Sequence, residues 1–301
     1  MPARRLTNAK GWPKAYAAAV EFSDHVSQGS DWSVTTLIRP PQMVALERLH
    51  ADQLVEDVDD RTWLLFGTAV HVVLERAGLG LDDPSIKIEK RYETLIAGKR
   101  IAAKPDVFND KPYVIDDYKL TSTYSIKNGE PKDEWVEQIN LTAAVLRREG
   151  ETVRSGQIFA ILRDFSPARA KHNEDLPQQD KVLVDVPMWK HQFADDYLHH
   201  RVYLHEQAKV GIVEPCSDEE RWAKPATWAV KKPGQRKAVK LCKTLDEAKD
   251  LLKEGRGKTI EERKATYPRC EKYCRVAQFC DQWREVKALP KKGRVLRLKA
   301  K

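Results

Sequence analysis

Apolar and polar positions alternate along this chain with two different periods, and the changes of period divide it into elements. Over residues 62–77 the side chains of Leu65, Ala69, Val72 and Leu74 build one broad apolar side at helical spacing, and Gly78 and Gly80 close the run. The same reasoning predicts helices over 15–22, 43–58, 135–149 and 192–210. Pro40-Pro41 suits the start of the second, where a missing N–H costs nothing, and Gly150 stops the third. Runs over 87–96, 100–108 and 113–120 predict a three-stranded meander, turned at Ala97-Gly98-Lys99 and at Asn109-Asp110-Lys111-Pro112. Further strands are expected at 156–163 and 181–186. After Pro215, two short strands flanking Pro233-Gly234 and a helix over 245–253 make a lysine-rich β-β-α unit. The expected fold class is therefore α/β, a central mixed β-sheet flanked by helices, with a small basic β-β-α accessory module.

Composition adds a charge asymmetry to that outline. The 301 residues are 41% hydrophobic, enough to bury a core, and 53 Lys and Arg against 45 Asp and Glu give a net charge of +8. Residues 221–301 hold 25 basic and 9 acidic side chains, whereas 1–220 hold 28 and 36, so the basic end is the expected contact surface for a polyanion. Tryptophans 189, 222, 228 and 283 interleave with basic residues there, as base-stacking surfaces do. No stretch approaches the ~20 apolar residues of a membrane span, and Met-Pro-Ala-Arg-Arg leads into no signal-peptide core. No membrane association and a cytoplasmic location are expected. Five cysteines, an odd number, do not read as a secreted disulfide framework, and Cys270, Cys274 and Cys280 crowd together.

The chemistry-bearing residues concentrate in the meander. Asp106 ends one strand, and Asp117 and Lys119 share a face of the next because side chains alternate along a strand. Two carboxylates and an ammonium converging at one place are costly to bury unless a cation or a reaction uses them. Hard oxygen ligands suit Mg²⁺ or Mn²⁺, which activates water and stabilises charge in phosphodiester hydrolysis, with Lys119 placed to orient the water.

Lys104-Pro105-Asp106 followed by Ile115-Asp116-Asp117-Tyr118-Lys119 resembles the PD-(D/E)XK nuclease signature in its RecB-like and Cas4-like exonuclease form. Gly67-Thr68-Ala69-Val70-His71, in the preceding helix, is similar to the Gly-x-x-x-His motif of those enzymes, with Glu75 one turn further on. Gln138, in the following helix, is similar to their glutamine motif. The matched motifs span 63–146. The resemblance implies a restriction-endonuclease-like core. It implies His71, Asp106, Asp117 and the Tyr118 backbone carbonyl as metal ligands, Asp106, Asp117, Lys119 and Gln138 as catalytic residues, and Glu75 as a supporting acid.

Cys270, Cys274 and Cys280 resemble the C-terminal part of the iron-sulfur staple of Cas4-like and AddB-like nucleases. No cysteine precedes Cys216, and Pro40 stands about where the first ligand would be expected. A three-cysteine iron-sulfur cluster with another fourth ligand, a zinc site completed by histidine and a metal-free segment all stay open.

The expected organisation is an N-terminal helical segment (1–60), a nuclease core (61–211), the basic accessory module (212–266), a cysteine segment closing on the core (267–285) and a basic tail (286–301). The resemblance implies a metal-dependent DNA exonuclease of phage or prokaryotic recombination, repair or DNA processing, acting in the host cytoplasm if phage-encoded. No Gly-x-x-x-x-Gly-Lys-[Ser/Thr] loop is present, so unwinding would come from a helicase partner; a recombinase or single-strand-binding protein is a further expected partner. A non-catalytic DNA-end-binding protein and a Cas4-like enzyme of CRISPR spacer processing are the alternatives.

Overall fold

The computed structural model describes residues 5–21, 29–126, 128–290 and 293–297, arranged in two compact units. The first comprises 1–44 and 52–213, the second 45–51 and 214–301. Phe22, the end of the first expected helix, and 291–292 and 298–301 of the expected basic tail lie outside the described residues.

The expected helical N-terminal segment is only partly helical. Strand β1 (Arg5–Thr7), helix α1 (Lys14–Glu21), strand β2 (Trp32–Ser33), helices α2 (Val34–Leu37) and α3 (Pro41–Leu49) and strand β3 (Val55–Asp57) succeed one another, and β1 pairs in parallel with β3. The helix expected over 43–58 ends at Leu49 because the following residues turn and then extend to pair with β1. Helix α4 (Thr62–Leu79) follows.

The expected meander is divided between two sheets. The strand predicted over 87–96 breaks into β4 (Ile86–Ile88) and β5 (Tyr92–Ile96), and that over 100–108 into β6 (Lys99–Ala103) and β7 (Val107–Asn109). Glu89 causes the first break by taking a left-handed backbone, φ 49°, and Pro105, which has no N–H to donate, lies in the second. The two breaks face each other, and the Glu89 N–H donates to the Asp106 carbonyl at 3.0 Å. Between β5 and β6, Ala97 and Gly98 both have positive φ, the two-residue turn that matches the twist of a hairpin.

Strand β8 (Val114–Thr121), helix α5 (Asp133–Arg148), strand β9 (Ser155–Leu162), helix α6 (Pro167–Lys171), strand β10 (Lys181–Asp185) and helix α7 (His191–Lys209) complete the unit. The five-stranded sheet has the order β10-β9-β8-β7-β4; β8 and β9 are parallel and joined through α5, and the other pairs are antiparallel. A second sheet has the order β2-β6-β5. The class is thus α/β, with mixed sheets flanked by helices. Helix α5 forms the centre of the core, burying Ile139, Leu141, Ala143, Val145 and Leu146 against Ile115, Ile158 and Leu198. Its acidic first turn and basic last turn complement the helix dipole.

In the second unit, β11 (Thr227–Lys231), β12 (Lys240–Cys242), β13 (Thr259–Arg263) and β14 (Val295–Arg297) form an antiparallel sheet of order β12-β11-β13-β14. The expected β-β-α unit is its first half. Helix α8 (Leu245–Lys253) buries Ala248, Leu251 and Leu252 against Val230 and Ile260. Its start is capped by side chains, Thr244 accepting from the Glu247 N–H while the Glu247 carboxylate accepts from the Lys243 N–H. A short helix α9 (Asp281–Ala288) follows the last cysteine. The cysteine segment, expected to close on the core, belongs to this second unit, where His50 stacks on Phe279 and Glu47 pairs with Arg275. Among the described residues no helix is long and apolar enough to cross a membrane.

Candidate active site

Strand β8 supplies both faces of the site. Asp117 and Lys119 point towards α5, while Tyr118 between them points to the other side, its ring 6.3 Å from that of His71 on α4. Asp117 is buried, 4% exposed, and its Oδ2 lies 2.6 Å from Lys119 Nζ. Gln138 on α5 bridges the pair: its Nε2 donates to Asp117 Oδ1 at 2.8 Å, and its Oε1 accepts from Lys119 Nζ at 3.2 Å.

Asp106 stands directly after Pro105, where the broken strand leaves its ladder and the side chain is free to turn inward. Its Oδ2 accepts the Tyr118 N–H at 2.6 Å, and its Oδ1 lies 3.1 Å from His71 Nδ1. The chain therefore gathers these residues into two hydrogen-bonded sets, His71 with Asp106 and the Tyr118 N–H, and Asp117 with Gln138 and Lys119, joined through the backbone of β8. Glu75 lies one turn beyond His71 on α4, close enough for its charge to act on Glu89.

Glu89 is the residue that sequence reasoning missed. Ligand atoms of His71, Glu89 and Asp106 all lie within 4.8 Å of one another. The Glu89 carboxylate also ion-pairs with Lys104. Within a run read as one strand, nothing marked Glu89 as the place where the backbone turns left-handed.

The carboxyl groups are pulled in opposite directions. Burial raises the pKa of Asp117, although Lys119 opposes the rise, and burial likewise raises Glu89 against its partner Lys104. Burial would raise Asp106 too, but the hydrogen bond and charge of His71, the Tyr118 N–H and Lys119 outweigh it and hold this carboxyl below the usual range. The hydrogen bond to Asp106 in turn raises His71 against the effect of burial. Buried carboxyls that resist ionisation, beside an imidazole and a carboxylate, are a donor set that a hard divalent cation satisfies.

The second unit holds the other candidate cluster. Cys270 lies in the wide helical turn Arg269–Tyr273, Cys274 directly follows it, and Cys280 caps α9. Cys216, outside the three-cysteine reading, lies within electrostatic reach of all three. The Gln282 side chain clamps its backbone, accepting from Cys216 N–H at 3.1 Å and donating to its carbonyl at 2.8 Å, and Arg269 donates to the carbonyls of Glu220 and Arg221. Burial, Glu220 and the neighbouring thiols of Cys280, Cys270 and Cys274 push the Cys216 thiol up to about 12. Burial and the Cys274 and Cys280 thiols push Cys270 up to about 11. The fifth cysteine, Cys242, is buried in the small core of the four-stranded sheet. The tryptophans expected to stack on bases also have packing partners: Trp189 meets Phe193 and Tyr197, Trp222 meets Tyr273, Trp228 packs on the accessory core and Trp283 meets Tyr267.

No family model matches the chain, and no curated protein matches it. The crystal structure of SSO0001 aligns over 69% of this chain and 89% of its own, at 15% sequence identity and a TM-score of 0.45.

Proposed function

We propose that the chain is a divalent-metal-dependent deoxyribonuclease of the PD-(D/E)XK type, working on DNA as an exonuclease in recombination, repair or DNA processing. The observation that carries this reading is the connected cluster in which α4, the Asp106 bend, β8 and α5 each contribute one part. His71, Asp106, Asp117 and the Tyr118 carbonyl would hold Mg²⁺ or Mn²⁺, with Glu89 within reach. Such an ion, when bound, would supply positive charge to phosphoryl oxygens and lower the pKa of water. Lys119, held by Asp117 and Gln138, keeps an ammonium beside the carboxylates, where it orients the attacking water and offsets charge developing on the phosphate. Gln138 fixes the orientation of both side chains, and Asp106 fixes that of His71.

The test is digestion of 5′-labelled and 3′-labelled linear DNA and of circular DNA, with and without Mg²⁺ or Mn²⁺, beside calorimetric Mn²⁺ titration. Release of nucleotides from linear DNA only, dependent on metal, is the expected result. Unchanged Mn²⁺ binding in both Asp106→Asn and Asp117→Asn removes the assignment.

We further propose that Cys216, Cys270, Cys274 and Cys280 hold an iron-sulfur cluster or zinc that ties their segments together. Their fit rests on the donor set: the Cys216, Cys270 and Cys274 thiols, raised by burial and by neighbouring thiols, would ionise only beside a cation, and Cys280 lies among them. Iron, sulfide and zinc content of the anaerobically purified protein separates the two metals. Cys216→Ser should lower metal content as far as Cys274→Ser does, and full loading of Cys216→Ser removes Cys216 from the set.

A further inference from the structure

Helix α4 carries an apolar face that the fold leaves open. None of its 18 residues is fully buried, and its first turns expose Trp63 (53%), Leu64 (55%) and Phe66 (47%). Such a patch, on the helix that carries His71, calls for an occupant. Three observations indicate which.

Leu64, Gly67 and His71 lie on one side of the helix, so the exposed first turns lead along its axis to the metal cluster. The rise from Trp63 to His71 is roughly 12 Å. Gly67, between them, has open space where a side chain would stand: a Cβ there would meet no atom within 4 Å. The third observation is charge. The Arg163 guanidinium lies over the Trp63 ring, 4.2 Å from its centroid, and no carboxylate among the described residues pairs with it. Lys132, just before α5, is within electrostatic reach of Arg163 as well as of Glu134. Arg163 covers one face of the indole, and Phe66 stands edge-on to it at 5.6 Å. A flat aromatic surface braced from behind by a guanidinium with no carboxylate partner suits a ligand that is itself planar and anionic.

Resting on the nuclease reading, we propose that Trp63 and Phe66 form a stacking platform for unpaired bases of the substrate strand, with Arg163 contacting its phosphates, and that Gly67 keeps the path from this platform to the metal cluster clear. Stacking on an aromatic side chain is tolerant of sequence, as a nuclease acting on any end requires.

The experiment compares two fluorescein-labelled single strands of equal length with the full chain in EDTA, where no cleavage occurs. One strand has ordinary bases; the other carries abasic spacers at its terminal nucleotides, with every phosphate retained. By anisotropy the wild-type chain should bind the ordinary strand at least about five-fold more tightly. Trp63→Ala should lose that preference while keeping its affinity for the abasic strand, and Trp63→Phe, which keeps a ring, should retain most of it. Equal affinity of the wild type for the two strands, no binding of either, or equal losses on both strands in Trp63→Ala each overturn the platform. Cleavage in Mg²⁺ is read separately. A chain that prefers the ordinary strand but cuts nothing keeps the platform and loses the nuclease reading; a chain that cuts but ignores the bases keeps the nuclease and loses the platform.

Discussion

Replacing Gln138 by leucine tests whether the buried pair on β8 works as described. The substitution nearly conserves volume on α5 but removes two hydrogen bonds, the donor to Asp117 Oδ1 at 2.8 Å and the acceptor for Lys119 Nζ at 3.2 Å. Asp117 is only 4% exposed, so water does not readily replace the lost donor. A hydrogen bond to a charged group contributes about 1.5–3 kcal/mol. That loss falls mainly on the ionised form of Asp117, whose pKa is already raised by burial, and moves it further up. If ionised Asp117 is needed for turnover, the acid limb of the pH profile of kcat/KM should shift to higher pH, with less loss at alkaline pH. Single-turnover cleavage of labelled DNA at saturating Mg²⁺, followed across the acid and neutral range, measures the limb directly. Gln138→Glu should move it further, since a second carboxylate would then stand beside the first. An unshifted limb accompanied by a loss uniform in pH would refute the reasoning and leave Gln138 a packing residue.

Lys119→Ala should abolish cleavage while Mn²⁺ binding persists, because its ammonium is an auxiliary charge and not a ligand, and should lower thermal stability, because Asp117 is left buried without its ion-pair partner; calorimetry and melting check both halves. Gly156→Ala should cost about 1–3 kcal/mol in urea unfolding, since the added Cβ collides with Ile139, which is 1% exposed and has nowhere to move. Glu206, with burial opposing, is held down at about 2 by Lys209, Lys99 and the Trp32 indole N–H. Its stabilisation is present above the unfolded pKa near 4.5 and disappears as pH falls through about 2. After allowance for solvent screening, Glu206→Gln should cost about 1–2 kcal/mol at neutral pH and almost nothing in strong acid; equal costs at both would contradict the ion pairs.

Legibility in the sequence followed the range of the interaction concerned. Asp117 and Lys119 were readable because a strand's period of two puts them on one face whatever surrounds it. Gln138 was readable only as a residue on the right helix, and its bridge to both emerges from packing of α5 on β8. Helix α4 reads as an amphipathic core helix, yet its first turns stay exposed, which no local periodicity could reveal. Cys216 was visible as a residue but separated from Cys270 by a complete small sheet, and tertiary contacts such as the Gln282 clamp and the Arg269 bonds bring their segments together. The break at Glu89 was hidden for a different reason: glutamate is an unremarkable strand residue, and its left-handed backbone is imposed by tertiary structure.

That imposed break and the one at Pro105 explain why the candidate site lies where it does. A continuous meander would have kept 89–91 and 104–106 in ladder register, their side chains alternating to the two faces and Asp106 tied into the sheet. With both strands broken opposite each other, the Glu89 N–H bonds to the Asp106 carbonyl, Lys104 pairs with Glu89, and Asp106 turns its carboxylate to His71 and to the Tyr118 N–H. A left-handed glutamate costs on the order of 1 kcal/mol. The surrounding bonds offset that cost, and the strands on either side, Ile88 with Val107 and Tyr92 with Ala103, fix the break at one register. Local preference and global fold conflict at this one place in the meander, and the conflict positions three charged side chains that a regular sheet would have kept apart.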